Sequence, residues 1–199
     1  TSCKFLNSNY LISGGTDSTI CLWDLESPER YLSIYHEHSA DVTTLDVFHY
    51  DANIFLSGST DLSSRIWDIR IKQPTQMIFK SHENSINTVS FMPFINPTTF
   101  CSGSDDSTIK MHDIRMKGEV STFFDPGNFE SVYSITISRT GRFLFAGTES
   151  SKVKVWDTLG AGNVLKNAFR SDLLPDCKGM VNSISLSCDG FSLAMSGPH

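Results

Sequence analysis

At 199 residues, with 39% hydrophobic and 19% charged side chains and with 14 Phe and 3 Trp to bury, the chain can build a real core, which excludes a mini-protein and a disordered segment. Its formal charge of −6 and pI near 5.4 provide no field to attract phosphates, and the basic pairs Arg70/Lys72 and Arg115/Lys117 are small, so nucleic acid is not an expected partner. Cysteines at 3, 21, 101, 177 and 188 show no C-x-x-C spacing and read as reduced thiols of a cytosolic protein; no signal peptide, no Asn-x-Ser/Thr acceptor and no spanning-length apolar run points to secretion or direct membrane insertion.

Taken in chain order, the sequence starts at Thr1 without a methionine, and Ser2 and Cys3 fall inside an expected first strand, so it reads as cut from a longer chain. The segment "SGGTDSTICLWD" from Ser13 has turn chemistry between two extended stretches, a predicted hairpin. It returns as "SGSTDLSSRIWD" from Ser57, "SGSDDSTIKMHD" from Ser102 and "AGTESSKVKVWD" from Ala146. The pairs Trp23-Asp24, Trp67-Asp68, His112-Asp113 and Trp156-Asp157 stand 44, 45 and 44 residues apart, so one unit of fixed length repeats. Before each later hairpin, or following the last, apolar residues recur at i, i+3 and i+5: Val42/Leu45/Val47, Ile86/Val89/Phe91, Val132/Ile135/Ile137 and Val181/Ile184/Leu186. The last step has the strand period of two, and no stretch sustains an i, i+4, i+7 helical stripe. Loops such as "DPGN" at 125–128 and "GAGN" at 160–163 separate the strands, which predicts about four short strands per unit and no helix.

Repeats of this length ending in Trp-Asp, with His38 upstream of Trp67, resemble WD40 repeats, the blades of β-propellers. The expected fold is therefore all-β: a propeller portion of about four and a half four-stranded blades from a ring of about seven. It is expected as one domain over 1–199, with approximate blades 1–35, 36–79, 80–124, 125–170 and an incomplete 171–199. The resemblance implies a buried hydrogen-bonded chain from indole to serine, histidine and aspartate. Blade two supplies Trp67, Ser57, His38 and Asp61; blade three supplies Ser102, His82 and Asp106 with His112 in place of tryptophan; blade one supplies Trp23, Ser13 and Asp17. Blade four has Trp156, but Ala146 and Ser150 stand where serine and aspartate are expected. A Ser/His/Asp set can also signal a hydrolase, yet this one recurs as a blade element and lacks a G-x-S-x-G elbow, so no enzyme is expected.

"SCKFL" at Ser2 to Leu6, "SINTVSFMP" at Ser85 to Pro93, "GSDDSTIKMHDIR" at Gly103 to Arg115 and "SRTGRFLFAG" at Ser138 to Gly147 resemble the beta subunit of heterotrimeric G proteins, in matching order and spacing. In that family the blade matching residues 82–113 also lacks the tryptophan, carrying phenylalanine, so His112 departs from the generic repeat where the family does. The resemblance implies a non-catalytic scaffold without a cofactor. It would bind a GDP-loaded alpha subunit, and after release effector proteins, through top-face residues at the positions of Asp41, Thr43, Ser85, Asn87 and Asp105. Thr43 stands where the family usually has methionine and Ser85 where it has aspartate. It also implies a gamma subunit, whose prenyl group would bring a cytoplasmic protein to the inner face of the plasma membrane. Other readings are a generic interaction scaffold or an adaptor of cullin–RING ubiquitin ligases, for which "WDIR" at Trp67 to Arg70 and "HDIR" at His112 to Arg115 are short matches. "HEH" at His36 to His38 offers two metal ligands without a third, and "GAG" at Gly160 to Gly162 lacks a full G-x-G-x-x-G.

Overall fold

A computed structural model describes residues 1–27, 31–71, 74–93, 98–150, 153–160, 179–187, 189–190 and 192–197. The "GAGN" loop beyond residue 160, together with Lys72, Cys177 and Cys188, lies outside the described residues. Cys3, Cys21 and Cys101 are free thiols.

Each repeat folds as an antiparallel meander whose strand order follows the sequence. The first sheet holds β1 (Ser2–Phe5), β2 (Tyr10–Gly14), β3 (Ile20–Asp24) and β4 (Tyr31–Tyr35). The second holds β5 (Val42–Val47), β6 (Ile54–Ser59), β7 (Ser64–Asp68) and β8 (Thr75–Phe79). The third holds β9 (Ile86–Phe91), β10 (Thr99–Ser104), β11 (Ile109–Asp113) and β12 (Gly118–Phe123). Of the fourth sheet, β13 (Val132–Ile137), β14 (Phe143–Thr148) and β15 (Val153–Asp157) are described, and of the fifth, β16 (Ser183–Leu186) and β17 (Leu193–Ser196). The described residues form no helix. The architecture is that of a partial β-propeller, with five sheets as successive blades and the apolar core divided among the seams between them.

The register explains the i, i+3, i+5 pattern. Val42 pairs with Ser59 and Thr44 with Gly58, so Thr43 is an extra, bulged residue. The same skip leaves Asn87 unpaired between Ile86 and Thr88, and Tyr133 between Val132 and Ser134. A bulge shifts the pleat by one position, so residues three apart, Val42 and Leu45, both enter the core.

The bulged side chains are then re-aimed across the seam. Thr43 Oγ1 donates to Gly58 O at 3.0 Å and to Ile86 O of the next blade at 2.5 Å. Asn87 Nδ2 donates to Val132 O at 3.1 Å, and Thr1 Oγ1 reaches Val42 O in the same manner. One residue further on, hydroxyls accept backbone N–H groups: Leu45 N donates to Ser2 Oγ (3.2 Å), Val89 N to Thr44 Oγ1 (3.4 Å) and Ile135 N to Thr88 Oγ1 (3.3 Å). Inner strands of neighbouring blades diverge too far for a ladder, so short polar side chains satisfy backbone groups that would otherwise be buried unpaired. At the seam onto β16 the corresponding Ser134 Oγ is buried with no partner among the described residues.

The Ser-Gly step of each hairpin marks the closest approach between blades. A Cβ on Gly58 would lie 2.7 Å from Thr44 Cγ2, 2.8 Å from Ile86 Cγ2 and 2.9 Å from Val89 Cγ1. Gly58→Ala is therefore expected to lower stability by about 1–3 kcal/mol through overpacking at the seam. Urea unfolding checks this, and an unchanged midpoint and slope would mean that the seam has room for a methyl group.

Candidate functional site

The loops that enter the inner strands and the hairpins that follow the second strands share one end of the blades. Thr60 N donates to Asp41 O (3.0 Å), Asp105 N to Ser85 O (3.0 Å) and Glu149 N to Ser131 O (3.2 Å), each tying hairpin to loop. Polar stacks in blades two and three underlie this upper face, and blade one carries two unconnected parts of one.

In blade two Trp67 Nε1 donates to Ser57 Oγ (2.8 Å), Ser57 contacts His38 Nε2 (2.7 Å), and His38 Nδ1 lies 2.8 Å from Asp61 Oδ2. Asp61 also accepts from Ser39 N and from Ser63 N and Oγ, so one carboxylate joins the incoming loop to the hairpin. Burial by itself would raise the Asp61 carboxyl, but the His38 and Ser63 hydrogen bonds outweigh it and hold the group well below the usual carboxylate range. Leu62 beside it has φ 67, a left-handed conformation that Ser18 and Ser107 adopt in the neighbouring hairpins.

Blade three repeats the arrangement, with His82 Nε2 at 2.7 Å from Ser102 Oγ and His82 Nδ1 at 2.7 Å from Asp106 Oδ2. His112 fills the tryptophan position with Nε2 at 3.1 Å from Ser102 Oγ, and its ring stacks on Phe100 at 4.7 Å. Its Nδ1 is buried with no partner among the described residues. In blade one Trp23 Nε1 donates to Ser13 Oγ (2.7 Å), and Asp17 accepts from Thr19 N and Oγ1.

Blade four is built differently. Trp156 is buried, but among the described residues its Nε1 has no acceptor, Ala146 standing where the other blades place the serine. Its loop is tied down by Glu130, which accepts from Thr148 Oγ1 (2.7 Å), Ser150 Oγ (2.8 Å) and Lys154 Nζ (3.1 Å). Sequence reading missed this clamp, since Lys154 alternates with Val153 and Val155 like any solvent-facing strand residue.

The five candidate partner-binding residues are half-buried on the upper face. Ser85, Asn87 and Asp105 meet directly: Asn87 Nδ2 donates to Asp105 Oδ1 (2.6 Å), and Ser85 holds the Asp105 backbone. Thr43 reaches them through the carbonyl of Ile86, and Asp41 flanks the preceding hairpin. Thr43 and Asn87 are therefore seam residues as well as surface residues.

At the opposite end, the arginine of the Trp-Asp-x-Arg ending is engaged internally: Arg70 Nη2 lies 2.7 Å from Asp68 Oδ2 and 2.9 Å from Asp51 Oδ2. Among the described residues no group of three or more His, Cys, Asp or Glu side chains is placed to hold a metal ion. Among the described residues no helix is long and apolar enough to cross a membrane.

Comparison with known proteins agrees with the geometry. The profile of the family described as WD domain, G-beta repeat, matches residues 1–24, 29–68, 73–113 and 118–157. The chain is similar to guanine nucleotide-binding protein subunit beta-5b of Danio rerio, 37% identical over 96% of this chain and 46% of the relative. It is similar to guanine nucleotide-binding protein subunit beta of Arabidopsis thaliana, at 34% over 94% of this chain and 37% of the relative. With subunit beta-1 of Nicotiana tabacum the identity is 33% over 97% of this chain and 52% of the relative. The chain thus spans about half, or less, of the length of the curated relatives it matches. Four matched repeats, a polar stack that recurs in blades two and three, and five blade sheets together show that this chain belongs to the WD40-repeat family.

Proposed function

We propose that the protein is a non-catalytic signalling scaffold that binds a GDP-loaded G-protein alpha subunit through the upper face, pairs with a gamma subunit, and presents the same face to effector proteins once alpha leaves. The single observation that carries this reading is the hydrogen-bonded continuity of Ser85, Asn87 and Asp105 on the face where the resemblance to G-protein beta subunits puts its alpha contacts. Preorganised polar groups of this kind bind without ordering a loop first, which favours affinity. Attachment to the inner face of the plasma membrane would come from the gamma partner's lipid.

The test is binding of the full-length protein, co-expressed with a gamma subunit, to an alpha subunit loaded with GDP or with a non-hydrolysable GTP analogue. Tight binding to the GDP form, weakened about tenfold by Asp41→Ala and by Asp105→Ala, is the expected result. Asn87→Ala is a poorer probe, because the same substitution cuts the seam bond to Val132 O. Nucleotide-independent binding, or none to any alpha subunit of the same cell, would discard the reading.

A further inference from the structure

The loop entering blade four presents an aromatic side chain that nothing in the blade repeat accounts for. Phe129 is 80% exposed, although it lies three residues before Val132, the start of an inner strand. An exposed phenylalanine in a floppy loop would be unremarkable, but this loop is held on both sides of it. Lys154, itself only 11% exposed, contacts Asp125 Oδ2 at 3.2 Å and Glu130 Oε2 at 3.1 Å, and donates to Asn128 O at 3.4 Å. Asn128 N closes a turn onto Asp125 O at 3.1 Å, and the Asn128 amide donates to Glu130. Both neighbours of Phe129 are therefore fixed while its ring points to solvent.

The clamp also links to the candidate face. Asn87 Nδ2, which donates to Asp105, donates as well to Val132 O at the end of this loop. Lys154 offsets part of the charge of Asp125 and Glu130, and Glu83, Asp105 and Glu149 add three further carboxylates on loops and hairpins of the same end, in a chain that carries a net −6. Aromatic side chains presented rigidly, with two torsions to freeze, are common interface anchors, and an acidic rim selects a partner with cations around the receiving pocket.

We infer that Phe129, held out by the Lys154–Glu130 clamp, is an apolar anchor of the upper face and inserts into an apolar pocket, rimmed by basic side chains, on the alpha subunit. This rests on the function proposed above. It supplies the face with an apolar contact where Thr43, whose hydroxyl is engaged with two backbone carbonyls, has none to offer.

The experiment compares Phe129→Ala, Phe129→Leu and wild type as full-length protein with its gamma subunit, measuring association and dissociation with GDP-loaded alpha and the unfolding midpoint of each. The expected result is at least about tenfold weaker binding for Phe129→Ala, mostly from faster dissociation, partial recovery in Phe129→Leu, and an unchanged midpoint. Lys154→Met should weaken binding with Phe129 intact, because the ring is no longer held. Unaltered affinity in Phe129→Ala while Asp105→Ala still weakens binding would overturn the anchor and leave the proposed function standing. A lowered midpoint in Phe129→Ala would instead assign the ring to another part of the same polypeptide, and wild-type protein that binds no alpha subunit would remove both readings.

Discussion

Trp67→Ala is expected to remove about 3–5 kcal/mol of stability, the usual cost of excising a large aromatic side chain from a core. Trp67 is 0% exposed, stacks on Phe55 with ring centroids 5.7 Å apart, and touches Tyr35 and His38. The more informative comparison is phenylalanine at two positions. Trp67→Phe and Trp156→Phe both shrink a buried ring, so the loss of volume is common to the pair. Only the first also cuts a hydrogen bond, that from Nε1 to Ser57, whereas Trp156 Nε1 has no acceptor among the described residues. Trp67→Phe should therefore cost about 1–2 kcal/mol more than Trp156→Phe, since removing a used donor strands its acceptor and removing an unused one relieves a buried polar atom. Chemical unfolding of the two variants beside wild type gives the difference directly. Equal losses would mean that the indole–serine bond contributes nothing beyond packing.

The blades were legible because the repeat constrains backbone and side chains together. Turn residues such as Thr60, Asp61 and Ser63 specify the hairpin, and the alternation in Ile66-Trp67 against Phe55-Leu56 specifies which faces meet. The histidine–aspartate stack was legible too, because Asp61 and Asp106 stand at one fixed offset before Trp67 and His112, and His38 and His82 recur about thirty residues before them. Three features were not. The bulges at Thr43 and Asn87 are invisible to a pattern that counts apolar residues, although the i to i+3 step from Val42 to Leu45 was their trace. The missing acceptor of Trp156 could be anticipated from Ala146, but not the substitute clamp, which joins Glu130, Thr148, Ser150 and Lys154 from a loop, a hairpin and two strands. No local sequence rule relates residues that meet only after the blade has closed.

Thr43 and Asn87 make the same point about the candidate site. As bulged residues they reach across the seam to a carbonyl of the next blade while staying half-buried at the upper end, and this position lets them serve the seam and the upper surface together. Such dual use ties the shape of the surface to the angle between blades. A substitution that opens the seam between blades two and three, as at Gly58, should then displace Thr43 relative to Asn87, because the hydroxyl of one is bonded to the carbonyl preceding the other.

His112 provides the second large effect, expressed through pH. The Asp106 carboxylate, which burial would raise, is held well below its ordinary value by His82 and Thr108 and so accepts from His82 Nδ1–H. His82 Nε2 lies 2.7 Å from Ser102 Oγ, which in turn lies 3.1 Å from His112 Nε2. Among the described residues no group is placed to pair with His112 Nδ1. A second proton there would be a buried charge without an acceptor beside it, so burial first and His82 second push the imidazole down to about 4 from 6.5, with Lys110 acting in the same sense and Glu119 against it. Between those two values the unfolded chain binds a proton that the folded chain does not, so stability falls as the pH drops from about 6.5 toward 4. The full interval corresponds to about 3 kcal/mol at this one residue. Asp61 and Asp106 act in a lower window: their depressed values contribute stability that is fully present above the unfolded value near 3.8 and is lost only as the pH falls below it. His112→Phe keeps a ring against Phe100 and discards the orphan nitrogen at the cost of one bond to Ser102, so at pH 7 it should be close to neutral. Its unfolding free energy should then decline less than that of wild type between pH 6.5 and 4.5, by about 2 kcal/mol, with the two curves running parallel below the carboxylate range. Parallel curves throughout would show that His112 accepts its second proton in the fold, and that another residue of the blade supplies the missing acceptor.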